Sequence, residues 1–389
     1  MEFGRRQCLE GFEISTYFFF FFFQTKPSSP SPSCQHLQEL ISTLVTSGED
    51  YKALSLFQRL QDQIPLDHSL SLYILKACIN LSLLHPARLL HDQVIRYGIS
   101  IDGLIGNSLI TLYARCGSLD EGQKIFDLLQ NRNSVSWSAL IGGYVQHGHG
   151  HKAIEVFDEM QYKGLCLNRS ILLSILKACG SIGATEKGQS VHTEIVRRGL
   201  LENDNTIGNA LVGMYAVLGM LGEAQGTFDK LQVKEVVSWN ELIEGYTEYG
   251  YDCVALYAFG QMQLECILPD AGTLFSIFKS CTSLGAFKEG QSLHAQIVNE
   301  VSLETDIKIG TALVDMYGKF GALVKAQKVF DGLEAKNVVS WNALIAGYSQ
   351  HELGDKALDC FEKMKLCDST PDEITFHSIL KACGSIGAL

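Results

Sequence analysis

The sequence predicts an all-α fold, a right-handed superhelical solenoid of tandem antiparallel helix-turn-helix repeats, and three observations predict it. Trp137, Trp239 and Trp341 recur at a step of 102 residues, each inside a near-identical phrase: SVSWSALIGGY, VVSWNELIEGY and VVSWNALIAGY. Tyr113, Tyr215 and Tyr317 keep the same step. A third phrase, ILKAC or IFKSC, advances its lysines Lys76, Lys177, Lys279 and Lys381 by 101, 102 and 102 residues. Self-similarity at a fixed period is the signature of stacked repeats, and it outranks local propensity in deciding the fold.

Taken in order, residues 1–33 form an N-terminal segment expected to be disordered or to serve as a presequence. Its run Phe18–Phe23 is too short to cross a bilayer, and it continues into Gln24-Thr-Lys-Pro-Ser-Ser-Pro-Ser-Pro-Ser33 without the small-residue cleavage site of a secretory signal. From residue 34 onward each unit of 102 residues divides into three. Ala53/Phe57, Ala153/Phe157 and Ala357/Phe361 mark one part, and Phe126, Phe228 and Phe330 close another, so the module has about 35 residues. Within it Trp341, Leu344, Ile345 and Tyr348 follow helical spacing and form one apolar face. After a break expected at Gly354, Ala357, Phe361 and Met364 form a second stripe. Two such helices cannot bury their faces alone, so consecutive hairpins must stack and share a core beside a concave groove. Gly143, Gly245 and Gly347 are expected where first helices cross, and the spacing Gly143–Gly150 is expected to fall in interhelix turns.

Composition narrows the functions. The formal charge of −12 argues against nonspecific coating of nucleic acid, which needs clustered Lys and Arg. The 12 cysteines are scattered with no C-x-x-C pair, which leaves neither a zinc knuckle nor a thioredoxin-like motif and predicts reduced, buried thiols.

The phrases discriminate between families of helical hairpin. VVSWNALIAGYSQHELGDKALDCFEKM, GNALVGMYAVLGMLGEAQGTFDKL and SILKACGSIGATEKGQSVHTEIVRRG resemble, in that order, the P, S and L repeat variants of plant PLS-class pentatricopeptide repeat (PPR) proteins. Tetratricopeptide repeats share the hairpin but not these phrases. The resemblance covers residues 34–389 and implies P repeats at 34–67, 134–168, 236–270 and 338–372. It places L repeats at 68–102, 169–204 and 271–306, S repeats at 103–133, 205–235 and 307–337, and a last L repeat from Glu373 to Leu389. That last repeat holds a single helix, so the chain resembles a fragment or a shortened relative, without the E extension and DYW deaminase domain that follow in many family members.

The resemblance also implies the recognition residues. In the family, the fifth residue of a repeat and its last residue read one base, and an apolar second residue packs it. The matching pairs are Asn107 with Asn133, Ser138 with Asn168, Asn209 with Glu235, Asn240 with Asp270, Thr311 with Asn337, and Asn342 with Asp372. Val135, Val237 and Val339 occupy the packing position in P repeats. By resemblance Asn/Asp favours U, Ser/Asn and Thr/Asn favour A, and Asn/Asn favours a pyrimidine, giving 5′-Y-A-n-n-U-n-A-U-3′. The L repeats carry Leu72, Leu173, Phe275 and His377 at the fifth position and are assigned no base.

Catalysis is not expected. Zinc deaminase chemistry needs H-x-E followed by P-C-x-x-C, and only His192-Thr-Glu194 appears. His192 has counterparts at His91 and His294, each 15 residues after its lysine, while the glutamate becomes Gln93 and Gln296; a residue set by repeat phase belongs to packing. The expectation is a non-enzymatic reader of single-stranded organellar RNA, mitochondrial or chloroplast. It would serve C-to-U editing-site recognition or RNA processing, with no cofactor, no metal and no membrane, and any deaminase supplied in trans by an editing-complex protein. The rival is a scaffold whose groove binds a protein, favoured by the acidic charge.

Overall fold

The computed structural model describes residues 34–60, 66–101, 103–201, 204–297, 306–367 and 369–387; the expectation for residues 1–33 lies outside them. All described secondary structure is helical. In chain order the helices are α1 (Cys34–Thr46), α2 (Asp50–Leu60), α3 (His68–Leu81), α4 (Leu84–Arg96), α5 (Gly103–Arg115), α6 (Leu119–Leu128) and α7 (Ser134–Gln146). They continue as α8 (Gly150–Tyr162), α9 (Arg169–Ile182), α10 (Thr185–Arg197), α11 (Asn205–Val217), α12 (Leu221–Phe228), α13 (Val236–Glu248) and α14 (Asp252–Leu264). The last are α15 (Ala271–Leu284), α16 (Phe287–Ile297), α17 (Ile307–Lys319), α18 (Leu323–Gly332), α19 (Val338–Gln350), α20 (Gly354–Leu366) and α21 (Glu373–Ser385). Odd-numbered helices are the first (A) helix of each hairpin and even-numbered ones the second (B). Every A helix begins at the first residue of a repeat in the frame that the sequence phrases imply.

The helices fall into two compact units, one ending at Gln130 and one starting at Asn131. Within each, an A helix packs on its own B helix and on the next A helix, and B helices reach the next A helix. In each unit, taken by itself, the A helices therefore form one layer and the B helices the other, with the core between them.

Local chemistry sets the A-helix starts. The side chains of Asp67, Asn168, Asp204, Asp270, Asp306, Asn337 and Asp372 each accept a backbone N–H from the first turn of the helix they precede. Such caps stabilise a helix by about 1 kcal/mol relative to alanine. The A–B turns need one left-handed residue: glycine caps α9 and α15 at φ 71° and 73°, whereas Ser82 (φ 52°) and Glu352 (φ 60°) adopt the conformation without glycine's freedom.

Aromatic residues join successive repeats. Phe228 at the end of α12 meets Trp239 on α13 edge-on at 4.6 Å between centroids, and Phe330 repeats the contact with Trp341 at 4.5 Å. Trp137 and Phe157 are fully buried. A second recurring contact links the B helix of one repeat to the A helix of the next, at the places the sequence frame labels L and S, letters that here name only positions in that frame. His91 Nδ1 lies 2.8 Å from the Tyr113 hydroxyl, and His192–Tyr215 and His294–Tyr317 repeat it at 2.7 Å.

Small residues stand at A-helix crossings. A Cβ on Gly347 would lie 2.9 Å from the Gly318 Cα, and one on Gly245 would lie 2.7 Å from the Ala216 Cβ. Two sequence expectations need correction. Gly143 is a buried residue inside α7 rather than in a turn, because the helix continues to Gln146 before the reversal. The break after α19 lies at residues 351–353, and Gly354 is the first, buried residue of α20, where a Cβ would meet the Ala382 carbonyl oxygen at 2.7 Å.

Replacing Gly347 by alanine should therefore destabilise the second unit by about 1–3 kcal/mol, because the clash is with backbone that cannot swing away. Gly260→Ala, on an open face of α14 with nothing within 4 Å of the added Cβ, should stabilise by roughly 0.5–1 kcal/mol. Urea unfolding followed by circular dichroism checks both signs.

Candidate nucleic-acid interface

Among the described residues, the last residue of a repeat is the N-cap of the next A helix, as Asp67, Asn133, Asn168 and Asp270 are, and the fifth residue sits one turn inside its own A helix. In three repeats that begin at Ser134, Val236 and Val338 these two side chains converge. Asn240 Nδ2 donates to both carboxylate oxygens of Asp270 at 2.9 Å. Asn342 Nδ2 donates to Asp372 Oδ1 at 2.9 Å, and Asn168 Nδ2 donates to Ser138 Oγ at 2.9 Å, while the Ser138 hydroxyl donates to the Ser134 carbonyl. These three P-repeat pairs are thus each joined by a side-chain hydrogen bond, given by the fifth residue in the two Asn/Asp pairs and by the last residue in Ser138/Asn168, and Val135, Val237 and Val339 stand exposed (53%, 52% and 61%) on the helices that carry the fifth residues.

The S-repeat residues behave differently. Thr311 donates its hydroxyl to the Ile307 carbonyl, and Asn337 caps α19 through the Ser340 N–H. Asn209 is buried and its Oδ1 has no hydrogen-bond partner among the described residues, while Glu235 is exposed, with its backbone N–H and carbonyl both engaged by Ser238. Asn107 lies half-buried on α5, and Asn133 accepts from the N–H groups of Val135 and Ser136. At the fifth position of L repeats, Leu72 and Leu173 are half-buried and Phe275 and His377 exposed.

A further pair of the same kind emerges in the first P repeat, where Gln38 Nε2 donates to Asp67 Oδ2 at 3.3 Å. Its signal lies in the sequence, since these are the fifth and last residues of 34–67. Leu104, at the second position of an S repeat, is exposed like the valines.

Carboxylates dominate the local electrostatics. The Thr375 backbone N–H, with help from Asn342 and the Thr375 hydroxyl, holds the Asp372 carboxyl below its ordinary range. Glu241, next to Asn240, is pushed up by burial and by Glu244. An exposed lysine follows the fifth residue by four in each L repeat: Lys76, Lys177, Lys279 and Lys381. Four residues is about one helical turn, which puts these lysines on the same face as the fifth residues. Lys279 pairs with Glu248 at 2.7 Å.

The half deaminase motif resolves into structure. Burial lowers the His192 pKa and its Nδ1 is occupied by Tyr215. Glu194 is held down to about 2 by Arg197 and Arg198, which bond it at 2.6–2.8 Å. Among the described residues, no group of three or more His, Cys, Asp or Glu is placed to hold a metal ion. The recurring thiols Cys78, Cys179 and Cys281 are buried, and burial pushes them up to about 12, 11 and 11. The expectation of buried thiols fails for Cys166, Cys266 and Cys367, which are exposed because each lies in the turn that follows a B helix, and for Cys253, which is exposed on α14.

Comparison with known proteins agrees with the repeat pattern. Residues 336–385 match the PPR repeat family, and residues 107–134, 135–165 and 311–338 match the PPR repeat. A mitochondrial pentatricopeptide repeat-containing protein of Arabidopsis thaliana is 34% identical over 315 residues, 81% of this chain and 56% of that protein. The chain belongs to the PPR repeat family. A chloroplastic PPR relative from the same plant is 32% identical over 348 residues, 89% of this chain and 56% of the relative, and a second mitochondrial one is 33% identical over 338 residues, 86% and 49%. The chain spans about half the length of these curated relatives. Among solved structures, the maize PPR protein PPR10 in complex with an 18-nucleotide psaJ RNA element has a similar fold, with a TM-score of 0.68 over 92% of this chain and 60% of that one at 16% identity.

The Asp372 shift has a definite sign. A depressed carboxyl pKa stabilises α21 above the unfolded value of roughly 3.9, and that contribution is lost as pH falls through the lower folded value. Carbon-13 NMR should find the Asp372 midpoint below that of ordinary aspartates, and Asn342→Ala should raise it only in part, because the Thr375 N–H remains.

Proposed function

We propose that this PPR protein binds single-stranded RNA along its row of A helices, reading about one base per repeat. The observation that carries the reading is the recurrence, at equivalent places in successive P repeats, of a polar pair beside an exposed valine. An amide or hydroxyl beside a carboxylate or second amide can meet the edge of one base, and a good pair discriminates by about 1–3 kcal/mol. The exposed valines offer an apolar surface to the base face. The lysine one turn past the fifth residue in each L repeat supplies phosphate contacts that the net charge of −12 would otherwise disfavour.

On this reading the recognition residues are Asn107 with Asn133, Ser138 with Asn168, Asn209 with Glu235, Asn240 with Asp270, Thr311 with Asn337, and Asn342 with Asp372, with Val135, Val237 and Val339 packing bases. Gln38 with Asp67 extends the series toward the RNA 5′ end. The solenoid comprises residues 34–389 in PLS order. The setting is an organelle, supported by relatives named mitochondrial and chloroplastic, and the step served is C-to-U editing-site recognition or processing, with a deaminase supplied in trans.

The test is the affinity of the full chain for 5′-YANNUNAU RNA against a scrambled control at one near-physiological salt concentration. The expected preference is tenfold or more, and Asn342→Ala should remove the preference at the 3′-terminal U. Absence of binding to either RNA would transfer the groove to a protein partner.

Charge reversal gives an independent check. Lys177→Glu or Lys381→Glu should weaken binding to all sequences alike and reduce the slope of log affinity against log salt by about one for each phosphate no longer neutralised.

A further inference from the structure

The two Asn/Asp pairs share a feature that the other pairs lack. At the third position of the repeat that follows each of them stands a threonine, Thr273 after Asn240/Asp270 and Thr375 after Asn342/Asp372. Each hydroxyl reaches back across the repeat boundary to the amide oxygen of the asparagine. Thr375 Oγ1 donates to Asn342 Oδ1 at 2.6 Å, and Thr273 makes the same bond to Asn240 Oδ1. Elsewhere the third residue does something else. Ser136, Ser238 and Ser340 donate to the carbonyl of their own N-cap residue, and Ile171, after Ser138/Asn168, has no hydroxyl to offer.

The proton balance fixes the direction of these bonds. The backbone N–H of Asp372 donates to Thr375 Oγ1 at 3.1 Å, so the hydroxyl already accepts one hydrogen bond and has a single proton left to give. Two acceptors are in reach, Asn342 Oδ1 at 2.6 Å and Asp372 Oδ1 at 2.9 Å, and the shorter contact takes it. Asn342 Oδ1 is thereby turned toward the buried threonine, and Nδ2 must face Asp372, to which it donates. A free amide can flip by half a turn and exchange donor for acceptor at almost no cost in shape; this one is held in a single orientation.

We infer that Thr273 and Thr375 are positioning residues that lock the amides of Asn240 and Asn342 with a donor toward the base, and so set the preference for uracil over cytosine at those two repeats. With Oδ1 occupied, the asparagine presents its second N–H and the aspartate presents a carboxylate oxygen. A base edge must then offer an acceptor beside a donor, as the O4 and N3–H of uracil do. Cytosine places the N3 lone pair where uracil has its N–H, and that lone pair meets the carboxylate unfavourably. A flipped amide would instead accept from the cytosine amino group, so releasing the amide should relax the choice between the two pyrimidines. This inference rests on the RNA reading above and adds to it a residue that touches no base.

The test uses the full chain and a set of RNAs that differ only by U or C at the position read by Asn342 or at the one read by Asn240. The wild-type chain should prefer U by tenfold or more at each. Thr375→Val, which keeps the shape and removes the hydroxyl, should reduce the ratio at the Asn342 position to threefold or less, leave the ratio at the Asn240 position unchanged, and act mainly by improving the C ligand. Thr375→Ser should restore the ratio, and Thr273→Val should reproduce the effect at the other site. An unchanged ratio in Thr375→Val, or an equal loss at both positions, overturns the inference while leaving RNA binding standing. Failure of the wild-type chain to bind any of the RNAs removes the RNA reading and this inference together.

Discussion

The structure depends on the side chains that cap the starts of most described A helices. A single side chain ends one repeat and starts the next, satisfying backbone N–H groups that would otherwise be orphaned at the helix start. Because the cap must lie beside the preceding A helix for the hairpins to stack, its remaining hydrogen-bonding capacity falls within reach of that helix's fifth residue. Asp270 and Asp372 show both duties at once: each accepts from its own helix's third N–H and from the asparagine of the helix before. The local requirement of helix capping thus places a polar pair at such junctions, and selection of the pair's chemistry becomes a choice among residues that cap equally well.

Packing keeps those junctions in register. The Gly318–Gly347 approach allows α17 and α19 to come close, while Phe330 against Trp341 and Phe228 against Trp239 hold the S repeat's second helix against the following P repeat. The His–Tyr bonds fasten the junctions between L and S repeats. Buried polar bonds of this kind specify one arrangement where apolar surfaces alone would tolerate sliding. On the proposed reading, an acidic chain can carry an RNA reader because selectivity would lie in the pairs, whereas nonspecific affinity needs a surplus of positive charge.

Much of this is legible in the sequence, for physical reasons that differ by residue. The tryptophan and tyrosine steps identify the stacking period because a repeated interface demands the same large side chain at the same place. Most A-helix starts follow from Asp or Asn at the end of a repeat. His192 is recognisable as packing because its phase matches His91 and His294. Other features depend on geometry that letters do not carry. Gly143 and Gly354 are helical because the reversal occurs a few residues away from where glycine alone would put it. The difference between Ser340, which bonds its own cap's carbonyl, and Thr375, which bonds Asn342, lies in where each hydroxyl points, and no spacing rule distinguishes them. Asn209 shares its letter and position with Asn107 but is buried, which identity alone does not foresee.

On the proposed reading, successive A helices present successive bases, so position along the RNA maps onto position along the chain. Asn240 and Asn342 stand 102 residues, three repeats, apart, which corresponds to about three nucleotides at one base per repeat. The most direct measurement is photocrosslinking with 4-thiouridine placed singly at each of the two U positions, followed by mass spectrometry of the joined peptide. The 5′ probe should attach near Asn240 and Asp270 and the 3′ probe near Asn342 and Asp372. Attachment of both probes to one peptide, or to the B helices, would contradict the mapping.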